Sequence, residues 1–165
     1  SIAFCGANGF PAAAYAPVLS RLSVRGYPVL GHDCFPAMLP SIDAGRHDWR
    51  SMRDMLVQSV ERQANLAKAP VHGVGHSFGG ALLCCAAAQR PDLFEKLVIV
   101  DPPMFAPATR VAAFIASSFV AAQHWHPLVK GALRRKSVWL SREEARKYLT
   151  TRGVFKHMHS ESLDA

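Results

Sequence analysis

The stretch Val71-His72-Gly73-Val74-Gly75-His76-Ser77-Phe78-Gly79-Gly80-Ala81-Leu82-Leu83 joins two periodicities end to end. Val71 to Gly75 is a short apolar, glycine-containing run of the kind that forms a buried strand. Phe78 to Gln89, rich in Ala and Leu, predicts a helix, and Pro91 follows its end. The junction Gly75-His76-Ser77-Phe78-Gly79 is a G-x-S-x-G pattern. With Gly and Ser each at about 7% of residues, a chain of this length shows it by chance about one time in twenty, so the pattern alone decides little. Its position decides more. A serine placed directly between strand and helix, flanked by glycines, sits on a sharp turn with its hydroxyl exposed at the strand's carboxyl end. The plain alternative is an ordinary strand–glycine–helix turn. A dinucleotide-binding turn fits less well, because G-x-G-x-x-G begun at Gly73 meets Phe78 where its third glycine belongs.

Working outward, strand and helix signals alternate. Ile2 to Cys5 is apolar and leads into the bend Gly6-Ala7-Asn8-Gly9. Ala13 to Val24 carries Tyr15, Val18, Leu19 and Leu22 at helical spacing and is closed by Gly26. Tyr27 to Leu30 is a second strand, and residues 31–46 form a turn-rich loop. Trp49 to Leu66 places Met52, Met55, Leu56 and Val60 on one helical face, and Lys96 to Val100 is a further strand. Beyond Asp101 the strand signals stop. Helices are predicted over Thr109 to Ala122, Pro127 to Lys136 and Ser141 to Thr151, the last opened by the capping box Ser141 and Glu144. The pattern predicts an α/β fold: a four-stranded parallel sheet flanked by helices over 1–103, then a helical cap segment over 104–165.

Half of the 165 residues are apolar and 19% are charged, as in a globular chain with a sizeable core. The net charge of +7 is concentrated late, in Arg134, Arg135, Lys136, Arg142, Arg146, Lys147, Arg152 and Lys156. No nucleic-acid motif accompanies them, so a solvated helical face is expected and a nucleic-acid partner is not. No apolar run approaches the ~18 residues of a membrane span. Cys5, Cys34, Cys84 and Cys85 lack metal-binding spacing and read as small buried thiols in a reducing, cytoplasmic setting. The chain starts at Ser1 rather than Met and enters a strand at once, so its true start is expected to lie upstream.

Together, Gly75–Gly79 in its strand–turn–helix setting and the segment Phe4-Cys5-Gly6-Ala7-Asn8-Gly9-Phe10-Pro11 resemble the α/β-hydrolase family. The second segment looks like the family's strand-three loop. Gly6 stands where that family usually has His, and Ala7 where it has Gly. Tyr27–Leu30 with Asp33, and Leu97 to Pro102, resemble the family's fourth and sixth strands. The match covers residues 1–103 well and the later helices loosely. It implies the sheet order 2-1-3-4, counting the strands along this chain. Chain direction then reverses beside the loops Gly6–Gly9 and His76–Phe78, where such sheets bind ligands.

The resemblance implies acyl transfer with Ser77 as nucleophile and the Asn8 and Phe78 backbone N–H groups as oxyanion hole, without metal or organic cofactor. Carboxylester hydrolysis is the leading chemistry, with carbon–carbon bond hydrolysis and cofactor-free haloperoxidase-like activity open. Serine at 77 argues against the branches that use Asp there. Phe105, Phe114, Phe119, Trp125 and Trp139 suggest a small hydrophobic acyl or alkyl substrate. The alternative is a non-catalytic small-molecule-binding protein on the same fold.

Other residues read more plainly. His76 is expected to pack or hydrogen-bond rather than act as the base. Asp101 is a minor candidate for the acid and otherwise a turn residue. Trp49 is a packing anchor. His157 and His159, like His124 and His126, lack a third metal ligand. The family's usual histidine and acid follow later strands, so this chain is expected to be a fragment, inactive by itself, with apolar sheet edges left open. Its oligomeric state is not legible.

Overall fold

The computed structural model describes residues 1–33, 49–103, 136 and 138–164. Four parallel strands, β1 (Ile2–Cys5), β2 (Val29–Gly31), β3 (Val71–His76) and β4 (Phe94–Val100), form one sheet in the order β2-β1-β3-β4. This is the expected order. Ile2 pairs with Val29 on one side and His72 on the other, and His76 pairs with Val100. All of β1 is buried, as an apolar strand at the centre of a parallel sheet should be.

Helices α1 (Ala16–Val24), α2 (Trp49–Ala67) and α3 (Phe78–Gln89) connect the strands. The predicted helix over Ala13 to Val24 instead opens with a 3-10 turn, Ala12–Tyr15. Pro17 lies in the first turn of α1, where its missing N–H costs nothing; deeper in a continuous helix it would clash with the preceding turn. The second strand starts at Val29, two residues later than predicted. The chain ahead of it is occupied by turn bonds, with the Tyr27 N–H donating to the Leu22 carbonyl.

The core lies between sheet and helices: Met52, Leu56, Val57 and Val60 of α2 and Leu82, Leu83 and Ala86 of α3 pack with Ala3, Cys5 and Val71. Turning those α3 residues inward places Cys84 and Cys85 outside. The expectation of buried thiols is therefore corrected at these two positions; Cys5 is buried, and Cys34 lies outside the described residues. β4 also differs from a strand covered on both faces. Ile99 packs against the core, while Val98 and Val100 are 54% and 51% exposed.

The chain divides into two compact units, residues 1–103 with 158–165, and residues 104–157. The last stretch, read from sequence as part of the helical segment, thus groups with the first unit. There α5 (Ser160–Asp164) packs against α1 and the turn preceding it. In the second unit, α4 (Arg142–Leu149) is capped by Ser141, whose hydroxyl accepts from the Glu144 N–H at 3.1 Å. The Glu144 carboxylate reaches back one residue further than a standard capping box, to the Leu140 N–H at 2.8 Å and the Lys136 ammonium at 2.6 Å. These bonds hold its carboxyl below the usual carboxylate range. The helices predicted over Thr109 to Ala122 and Pro127 to Lys136 lie outside the described residues, Lys136 excepted. No helix among the described residues is long and apolar enough to cross a membrane.

Candidate active site

Ser77 occupies the single residue between β3 and α3, with φ 52° and ψ −121°. A non-glycine residue at positive φ costs on the order of 1–3 kcal/mol and persists only where its surroundings impose it. Three backbone bonds do so. The Ser77 N–H donates to the Val100 carbonyl at 2.9 Å, the Ser77 carbonyl accepts from Ala81 at 3.2 Å, and the Gly79 N–H donates to the Gly6 carbonyl at 3.1 Å. Glycine is demanded at 79 by contact: a Cβ there would lie 2.3 Å from the Cys5 carbonyl oxygen. One at 75 would lie 2.6 Å from the Gly80 Cα. The helix can therefore start directly against the strands.

The bond from Gly79 to Gly6 also brings the loop leaving β1 to the start of α3. Within that loop the Phe10 N–H donates to the Ala7 carbonyl at 3.0 Å, closing a turn with Asn8 and Gly9 at its centre. Gly9 takes φ 80°, the left-handed conformation such a turn requires. Asn8 is exposed, and Phe78 is half-buried with its ring 4.6 Å from that of Trp49. Trp49 thus packs where α2 begins, and it touches the residue that follows Ser77. At the first position of a helix, the Phe78 N–H has no intrahelical acceptor.

His76 turns to a different partner from Ser77. Its Nδ1 lies 2.8 Å from the Tyr15 hydroxyl, and the two rings meet edge-on at 5.8 Å. Among the described residues, no histidine nitrogen hydrogen-bonds the Ser77 hydroxyl. Asp101, at the end of β4, is exposed and held at φ 45°. Asp33 accepts from the Ala12 N–H at 2.8 Å and so anchors the turn that carries Tyr15. His124 and His126 lie outside the described residues. His157 and His159 do not join any group of three or more His, Cys, Asp or Glu side chains placed to hold a metal ion, among the described residues.

Two polar residues escaped the sequence reading. Tyr15 was read only as part of an apolar helical face, yet its hydroxyl accepts from the Ala7 N–H at 2.9 Å besides meeting His76. Burial pushes its phenol up, the Ala7 bond opposing. His32 is buried against α2, with Nδ1 2.7 Å from the Ser59 hydroxyl and Nε2 donating to Gln63 Oε1 at 2.8 Å. Gln63 in turn donates to the Ile2 carbonyl at 3.0 Å. Burial pushes the His32 imidazole down. Neither residue belongs to a short motif; both are joined to their partners only by folding.

A parallel sheet in this order, with a strained serine between its third strand and the following helix, defines the α/β-hydrolase class of fold. The chain belongs to that family: the model for the "Alpha/beta hydrolase family" matches residues 4–162. It is similar to lipase LipV of Mycobacterium tuberculosis, 29% identical over 122 residues, covering 73% of this chain and 43% of that protein. It is 36% identical over 55 residues to rat monoglyceride lipase, covering 33% of this chain and 18% of the relative. The structure of E-2-(acetamidomethylene)succinate hydrolase superposes with a TM-score of 0.65 at 19% identity, over 98% of this chain and 53% of that one. The matched stretches span less than half the length of each of these two lipases.

Proposed function

We propose that this chain carries the nucleophile and oxyanion half of a serine-dependent acyl hydrolase, with a carboxylic ester of a small hydrophobic acyl group as substrate. The observation that supports it best is the Ser77 backbone, strained at φ 52° on the turn between β3 and α3. In this reading Ser77 attacks the ester carbonyl as a histidine removes its proton. The Asn8 and Phe78 N–H groups stabilise the oxyanion, the alcohol leaves, and water releases the acid. His32 and His76 are committed to other partners, and no other described histidine hydrogen-bonds Ser77, so this reading takes its base from outside the described residues. Asp101 is the described candidate for the acid. The sequence-predicted cap segment, 104–165, is proposed to select the acyl group.

A fluorophosphonate probe applied to the full-length protein tests the nucleophile: mass spectrometry should find Ser77 labelled, and Ser77→Ala should lose both labelling and hydrolysis of p-nitrophenyl esters. A panel of increasing chain length then reads the acyl preference. An unlabelled Ser77 in a protein that still retains a hydrophobic ligand would instead identify a small-molecule-binding protein on this fold.

A further inference from the structure

The loop leaving β1 and the turn holding Ser77 are joined at the backbone by the Gly79–Gly6 bond. They are joined a second time through side chains. The Tyr15 hydroxyl accepts from the Ala7 N–H at 2.9 Å and lies 2.8 Å from His76 Nδ1. Ala7 immediately precedes Asn8, and His76 immediately precedes Ser77. One hydroxyl therefore ties together the residues that precede the proposed oxyanion donor and the proposed nucleophile.

We infer that Tyr15 is a positioning residue for acyl transfer, its hydroxyl setting the Asn8 N–H against the Ser77 turn. The inference rests on the acyl-transfer reading of Ser77. The Tyr15 ring is itself held. It lies 4.7 Å from the Phe4 ring, and its Cε2 would be 2.8 Å from a Cβ at position 6. Gly6 thus leaves the room that Tyr15 fills. A phenol is protonated at neutral pH, and burial pushes this one further up. In the proposed bridge the hydroxyl accepts from Ala7 and donates to His76 Nδ1, which puts the imidazole proton on Nε2. Without the bridge the loop keeps its turn but loses its side-chain tie to the Ser77 turn. The Asn8 N–H then sits less accurately where an oxyanion develops, which weakens transition-state binding more than ground-state binding.

The test is Tyr15→Phe in the purified full-length protein, whose wild type should hydrolyse p-nitrophenyl esters, assayed beside Ser77→Ala. Removing an oxyanion donor outright costs roughly 10²–10³-fold in kcat. A displaced donor should cost less, about 10- to 100-fold in kcat, with KM within about threefold. His76→Ala should show the same fall and His76→Asn should recover most of it, since an amide oxygen can replace Nδ1 as acceptor. Tyr15→Phe combined with His76→Ala should fall little below either alone, because both remove one bridge. The ¹H–¹⁵N spectrum of His76 should show Nδ1 as a hydrogen-bonded acceptor and lose that signature in Tyr15→Phe. Should Tyr15→Phe fold poorly, His76→Ala and His76→Asn give the same comparison. Wild-type kcat in Tyr15→Phe and His76→Ala beside an inactive Ser77→Ala would overturn the positioning role alone. If Ser77→Ala matches the wild type, the acyl-transfer reading fails and the positioning role fails with it.

Discussion

The Ser77 N–H donates to the Val100 carbonyl at 2.9 Å, so the strained turn after β3 hangs from the last residue of β4. The residue after Val100, Asp101, is also held at positive φ. Two neighbouring strands thus end in left-handed, non-glycine residues on the same edge of the sheet. Local strain of this kind persists only where the surrounding packing overrules it, and such places concentrate at functional sites.

Ser77→Gly tests that strain. Glycine adopts φ 52° freely, which recovers part of roughly 1–3 kcal/mol, while its greater freedom when unfolded returns about 0.5–1 kcal/mol. The variant should be inactive toward esters yet at least as stable as the parent in chemical denaturation. Clear destabilisation would show that the Ser77 side chain, rather than the fold around it, supports the turn.

Gly79→Ala tests the close approach of α3 to the loop. Its Cβ would meet the Cys5 and Gly6 carbonyl oxygens at 2.3 and 2.4 Å, and backbone cannot rotate away as a side chain can. Overpacking of this kind costs about 1–3 kcal/mol. Chemical denaturation should show that loss, and fluorophosphonate labelling of Ser77 should slow because the loop is pushed off the helix. Parent-like stability and labelling together would mean the approach is looser than the contacts imply.

His32 predicts a pH dependence with a definite sign. Burial lowers its folded pKa below the ordinary histidine value, so the unfolded chain binds its proton first as pH falls. Its contribution to stability is fully present above the unfolded value of about 6.5 and is lost as pH falls through the lower folded value. Denaturation midpoints should drop between pH 7 and 5. His32→Gln, which carries no titrating group, should flatten that part of the profile even though it is less stable throughout. An unchanged slope would place the dependence elsewhere.

Asp101→Asn separates an acid from a turn residue. Asn tolerates positive φ nearly as well as Asp does, so the bend survives while the charge is removed. Hydrolysis should stay within a few-fold of the parent, because the family resemblance puts the usual acid one strand further on. A fall near 10⁴-fold, the scale seen when a triad acid loses its charge, would assign the acid to Asp101.

Much of the architecture was legible locally. The apolar runs Ile2–Cys5 and Val71–Gly75, the Ala- and Leu-rich run from Phe78, and Gly75–Gly79 between them imply a parallel sheet and a serine on a sharp turn. They do so because strand period, helix period and the steric need for glycine are properties of neighbouring residues. Elsewhere local periodicity could not decide. Tyr15 matches an apolar helical spacing, and only folding brings its hydroxyl to Ala7 and His76, eight and sixty-one residues away. His32 has no local signal, because Ser59 and Gln63 reach it from α2, 27 and 31 residues further along the chain. Cys84 and Cys85 read as buried because a small thiol without metal-binding spacing usually is, and the packing of Leu82, Leu83 and Ala86 on the sheet decided which face turned outward. Backbone conformation follows from short-range sterics that a sequence carries along its length. Hydrogen bonds between distant polar groups, and the choice of a buried face, follow from which surfaces the completed sheet brings together.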